Sequence, residues 1–77
     1  MNATRKQGQY LAFIYYYTKI HGQAPAEADM ARFFRVSPPA VHQMVCTLAR
    51  VGLISRVPGA ARSIRLLVAK GDIPELE

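Results

Sequence analysis

Only Arg35 and Val36 separate the helix-forming stretch "EADMARFF" from Ser37, where "SPPAVHQMVCTLARVG" starts another helix at once. A connection that short forces the second helix to pack across its predecessor. Ser37 is a good N-cap, and Pro38 and Pro39 lack N–H groups that the first turn of a helix leaves unsatisfied anyway. If Ser37 caps, its hydroxyl must accept from the N–H of Ala40, with the first helical residue at Pro38 or Pro39. The helix continues to about Arg50, and Gly52 can take the left-handed conformation that closes it. At 100° per residue, Val41, Met44, Val45 and Leu48 share one face, and Pro39, His42, Gln43, Cys46, Thr47 and Arg50 share the other. The second face hydrogen-bonds but carries no carboxylate.

Upstream, Thr4 caps a helix running from Arg5 to His21 and closed by Gly22. Tyr10, Leu11, Ile14, Tyr17, Thr18 and His21 fall on one of its faces. Phe13, Tyr16 and Ile20 form a second ridge on the opposite flank, which either the C-terminal "IPEL" covers or a second copy of the chain does. After the connector "QAPA", a helix from Glu27 to Phe34 places Glu27 and Asp29 at its positive dipole end, with Met30, Ala31, Phe33 and Phe34 as its apolar set. Beyond Gly52 the period changes. "LISRV" and "RSIRLLV" read as two strands around the turn "PGAA", with Ile64 and Leu66 inward, Ser63 and Arg65 outward and Arg62 at the tip. Residues 1–70 thus form one domain, and residues 71–77 an acidic, loosely ordered tail. The fold class is α+β and mostly α: three helices and a two-stranded hairpin wing, a winged helix-turn-helix. Met30, Phe34, Val36, Val41 and Met44 stand where such a unit must be apolar, and Ala31 where two crossing helices need a small residue.

A chain of 77 residues holds one small core, which argues against a multi-site enzyme. With one cysteine, Cys46, no internal disulfide can form, in keeping with a reducing compartment. Arg5 and Lys6 precede the apolar run "YLAFIYYY", but that run is short and tyrosine-rich and cleavage there would delete the largest helix. It reads as a helix of a cytoplasmic protein, not as a signal peptide or a membrane span. The net charge is +5, and its placement matters more than its size. Between Met30 and Gly71 there is no Asp or Glu, while Arg32, Arg35, Arg50, Arg56, Arg62, Arg65 and Lys70 all lie in that window. A one-signed stretch of this kind presents a positive potential to a polyanion such as nucleic acid.

At "TRKQGQYLAFI", "SPPAVHQMVCTLARVGLI" and "PGAARSIRLL" the chain resembles the DNA-binding domain of the LexA repressor and its relatives, from about Thr4 to Leu67. The resemblance implies duplex DNA as partner, the third helix in the major groove and the wing on the backbone. Carried over by motif, the base-reading positions are Ser37, Pro39, His42 and Gln43. Backbone contacts are expected from Arg35, Thr47 and Arg50 and, on the wing, from Arg56, Gly59, Arg62 and Arg65. Gln43 can pair bidentately with adenine, His42 can donate to a guanine edge or a phosphate, and Pro39 offers apolar contact to a thymine methyl.

Three departures stand out. Ala26 occupies an expected Ser or Thr cap, Arg35 sits where the turn often has Gly, and His42 and Gln43 replace acidic readers. The operator is therefore not expected to be LexA-type. That family continues into a self-cleaving Ser/Lys protease domain, and the chain stopping at Glu77 leads us to expect neither autoproteolysis nor a small-molecule effector. His42 and Cys46 at i, i+4 have metal-ligand spacing, but the sequence supplies no third ligand nearby, and no cofactor is expected. The function expected is sequence-preferring duplex DNA binding by a small transcriptional regulator, repressing by occlusion as a homodimer through Phe13, Tyr16 and Ile20. The alternative is a winged-helix adaptor or an accessory subunit of mobile-element replication machinery.

Overall fold

Two of the three helices begin at a residue whose side chain satisfies a free N–H of the first turn. In the computed structural model, which describes residues 2–77, Thr4 Oγ1 accepts from the Gln7 N–H at 3.1 Å, and Gln7 Oε1 accepts from the Thr4 N–H at 3.0 Å. This reciprocal pair starts α1 (Arg5–His21), which ends where Gly22 turns left-handed at φ 73°. Ala26 has no side-chain acceptor to cap α2 (Glu27–Phe34). Asp29 Oδ2 compensates by accepting from the Ala26 N–H at 2.8 Å. Ser37 Oγ accepts from the Ala40 N–H at 3.3 Å and starts α3 (Pro38–Arg50), with both prolines in its first turn. Gly52 closes α3 at φ 83°.

The turn between α2 and α3 depends on Arg35, which adopts the left-handed conformation at φ 56°, ψ 48°. Its N–H and that of Val36 both return to the Ala31 carbonyl, so the chain reverses within two residues and α3 crosses α2. Met30, Val41, Val45 and Leu48 are fully buried at that crossing, against Tyr10, Leu11 and Ile14 of α1 and Ile54 of the wing. Phe34, Val36 and Met44 pack on this core while half-buried. Tyr10 stacks on Phe34 with ring centres 4.3 Å apart.

The wing pairs β1 (Ile54–Ser55) with β2 (Arg65–Leu66), antiparallel, in the register Ile54↔Leu66 and Ser55↔Arg65. Three helices and this hairpin make a winged helix-turn-helix, mostly α. The strands are far shorter than "LISRV" and "RSIRLLV" suggest. Ser63 Oγ intercepts the ladder, accepting from the Val57 N–H at 2.9 Å and lying 3.2 Å from Val57 O and 2.9 Å from Ala60 O. A side chain thus replaces backbone pairing, and the loop above it is set by turns at Gly59 (φ 80°) and Arg62 (φ 55°).

Three expectations are corrected. Phe13 does not belong to an outer ridge with Tyr16 and Ile20: it is 8% exposed, its ring 4.6 Å from Phe33 and 5.7 Å from both Phe34 and Tyr17. The aromatic end of α2 covers that flank of α1. Thr18 and His21 are exposed instead of core-facing, and Thr18 lines the groove between α1 and the wing. The tail is not loose. After a 3-10 turn at Lys70–Asp72 it runs back along α1, where Gln9 Nε2 donates to Glu75 O at 2.9 Å and Gln9 Oε1 accepts from the Glu77 N–H at 2.8 Å. Leu76 packs on the core, and Glu77 pairs with the exposed Arg5.

Candidate nucleic-acid interface

The face of α3 turned from the core begins at Ser37 and carries Pro39, His42, Gln43, Thr47 and Arg50, all exposed except Thr47, which is half-buried. Ser37 spends its hydroxyl on the cap. Thr47 donates its own to Gln43 O at 2.9 Å. The Gln43 amide makes no hydrogen bond among the described residues, so its donor and acceptor are both free.

His42 is held from both sides. Its Nδ1 lies 3.1 and 3.2 Å from the two carboxylate oxygens of Glu27, and its Nε2 lies 3.5 Å from Cys46 Sγ. Arg56 Nη2 donates to the same sulfur at 3.3 Å. A carboxylate therefore does reach the outer face of α3, contrary to the reading of α3 alone. Glu27 lies fifteen positions earlier and arrives because the first turn of α2 meets the middle of α3 at the crossing. A carboxylate on Nδ1 orients the ring and assigns Nδ1 as donor, which makes Nε2 the acceptor, on the side of Cys46 Sγ.

Arg62 does not stand free at the wing tip. Its Nη1 donates to Tyr17 Oη at 3.1 Å and to Ala24 O at 3.1 Å, and lies 3.2 Å from Asp29 Oδ2. The Tyr17 hydroxyl first, and then the Asp29 charge, hold the guanidinium still more firmly protonated, against the effect of burial. Asp29 in turn is pulled below the usual carboxylate range, chiefly by the Ala26 N–H, with Arg62, Tyr17 and Arg32 assisting and burial opposing. Arg62 is thus the strut that fixes the wing to α1 and the start of α2. The sequence signals missed for Glu27 and Asp29 were the same: acids in a first turn read as dipole partners and nothing more.

The remaining cations keep their reach. Arg35 at the turn and Arg50 at the end of α3 are exposed and have no acidic partner among the described residues. Arg56 is half-buried at the wing base, Gly59 turns the exposed tip, and Arg65 is exposed on β2 between the inward Ile64 and Leu66. A cleft of about 370 Å³ lies between the first turn of α2, His42 and the wing.

The sequence that builds this polar, exposed helix with its flanking cations and wing matches the family model described as "LexA DNA binding domain" over residues 1–63. The chain belongs to that family. LexA repressors from three bacteria give the measure of similarity. That of Cellvibrio japonicus is 39% identical over 74 residues, covering 95% of this chain and 37% of its own length. That of Thermosipho melanesiensis is 38% identical over 70 residues, 91% of this chain and 35% of its own, and that of Marinobacter nauticus 40% over 75 residues, 95% and 37%. The LexA-type domain therefore spans little more than a third of the length of these relatives. It is a DNA-binding domain, and among its described residues no helix is long and apolar enough to cross a membrane.

Proposed function

We propose that this LexA-type domain binds duplex DNA with sequence preference and represses transcription by occluding its site, as a homodimer on an inverted repeat. The observation that carries the reading is the Gln43 amide, unpartnered and exposed in the middle of the polar face of α3. In the major groove that amide matches the N6/N7 edge of adenine. His42 lies one position away, and its Nε2, the acceptor once Nδ1 donates to Glu27, meets a hydrogen-bond donor on a neighbouring base, while Pro39 presents apolar surface. Arg35, Arg50 and Arg56, with Arg65 and the backbone at Gly59, anchor phosphates without sequence information.

Selection of bound duplexes from a random pool, followed by a salt titration on the winner, tests this directly. About four to six phosphate contacts per protomer give a log–log slope near −4 to −5 for each protomer bound, and a slope near zero removes DNA as the partner. Gln43→Ala relaxes preference at one or two base positions at a cost of about 1–3 kcal/mol. An unchanged preference would take Gln43 out of the reading set.

A further inference from the structure

The wing has a second side. Between it and α1 lies a groove of about 980 Å³ to which α3 contributes no residue. Its walls include Ile14 and Tyr15 of α1, Ala24 of the connector, and Ile64 and Leu66 of the wing, so much of the lining is apolar. Lys19, Arg65 and Lys70 line it as well, and both lysine ammoniums lie 5.9 Å from the centre of the Tyr15 ring. No carboxylate lines the groove, and none of these three cations has an acidic partner among the described residues.

One wall is the free edge of a sheet. The register Ile54↔Leu66, with the Leu67 N–H donating to Leu53 O at 3.0 Å, makes Ile54 and Leu66 a non-hydrogen-bonded pair. The N–H and C=O of Leu66 accordingly point away from β1. No hydrogen bond to the rest of the described residues takes them up. An edge of this kind is completed by another extended backbone.

We propose that this groove binds an extended acidic segment of a partner protein, which adds to β2 as a third strand. An aliphatic side chain of the segment lies against Tyr15 and Leu66, and flanking carboxylates meet Lys19 and Lys70. A DNA strand satisfies only part of this chemistry. Phosphates accept from the cations and from the Leu66 N–H, but they cannot donate to the Leu66 carbonyl or cover an apolar wall. A peptide does all three. α3 takes no part, so the partner does not compete for the polar face of that helix.

The test uses a short fluorescein-labelled peptide in which aspartates and glutamates flank a Val-Ile pair, with its lysine-for-acid counterpart and a backbone N-methylated version as controls. At about 0.15 M salt, where surface charges act over about 8 Å, the acidic peptide binds and both controls bind at least about tenfold more weakly. Lys19→Gln combined with Lys70→Gln weakens the acidic peptide about tenfold and leaves affinity for a selected duplex within about twofold. Amide exchange at Leu66 slows when the peptide is bound. Equal binding of the acidic and basic peptides, no binding at all, or unchanged exchange at Leu66 overturns the proposal. So does an equal loss of DNA affinity in the double variant, which makes the groove part of a DNA track. Self-association of the chain that disappears in the double variant puts a second copy there instead.

Discussion

Arg35 shows what a two-residue link costs. A non-glycine residue in the left-handed conformation is strained by about 1 kcal/mol, yet the exposed Arg35, proposed above as a phosphate anchor, sits at φ 56°. Arg35→Gly therefore stabilises the fold by about 0.5–1 kcal/mol in urea unfolding, part of the relief being returned through the freer unfolded chain. The same change lowers the magnitude of the DNA salt slope by about one. Asp29 gives the second prediction at this scale. Its folded carboxyl is held below the usual range, so it stabilises the fold above the unfolded value of about 3.9 and loses that contribution as pH falls through the folded value. Asp29→Asn is thus less stable than wild type at neutral pH, and the gap in melting temperature closes as pH drops below about 4. A gap that stays constant into acid would assign the effect to shape and not to charge. The positions of Gln43 and of the Ser37 cap were legible from spacing alone. The Glu27–His42 contact was not, because it depends on the angle at which α2 and α3 cross.

At the scale of elements, the tail is the part whose behaviour composition conceals. "GDIPELE" is short, acidic and terminal, the usual marks of disorder, yet it is held along α1 by the Gln9 amide and by Pro74 over Gly8. A Cβ on Gly8 would lie 3.0 Å from Pro74 Cγ, so Gly8 is where the tail comes closest to the helix. Gly8→Leu should lift the tail while improving the intrinsic helix propensity of α1. Amide exchange at Ile73, Glu75 and Glu77 then rises sharply, with little change in the amides of α3. An unaltered tail in this variant would mean that Gln9 alone secures it. The wing teaches the complementary lesson. Alternation placed Ile64 and Leu66 inward, as observed, but strand length was overestimated because a serine hydroxyl can end a ladder that apolar residues would continue.

For the whole molecule, the open question of size is how so small a reading surface selects a site. A single domain reads few base pairs, and two copies on an inverted repeat square the discrimination. With Phe13 withdrawn into the core, Tyr16 at 37% and Ile20 at 75% exposure remain as the apolar contact on α1. This surface is small, so the expected behaviour is a monomer in solution and a dimer on the selected duplex. Sedimentation with and without that duplex, for wild type and Tyr16→Glu, checks it. One wild-type protomer per duplex would dismiss the dimer, and full assembly of Tyr16→Glu would move the interface elsewhere.

What the amino-acid order determined by itself was local: three helices with their caps, the tight turn at Arg35, the wing, and the polar face of α3. Capping and helical periodicity act within about four residues, so the types of residue present decide them without reference to the rest of the chain. Tertiary structure alone decided that Phe13 is core, that Arg62 is a strut on Asp29 and Tyr17, that Glu27 orients His42, and that the tail lies on α1. Each of these joins side chains that are distant in the chain or on different elements. Which partner a long polar or aromatic side chain meets is set by where packed elements cross in space, a quantity that no local window of sequence contains.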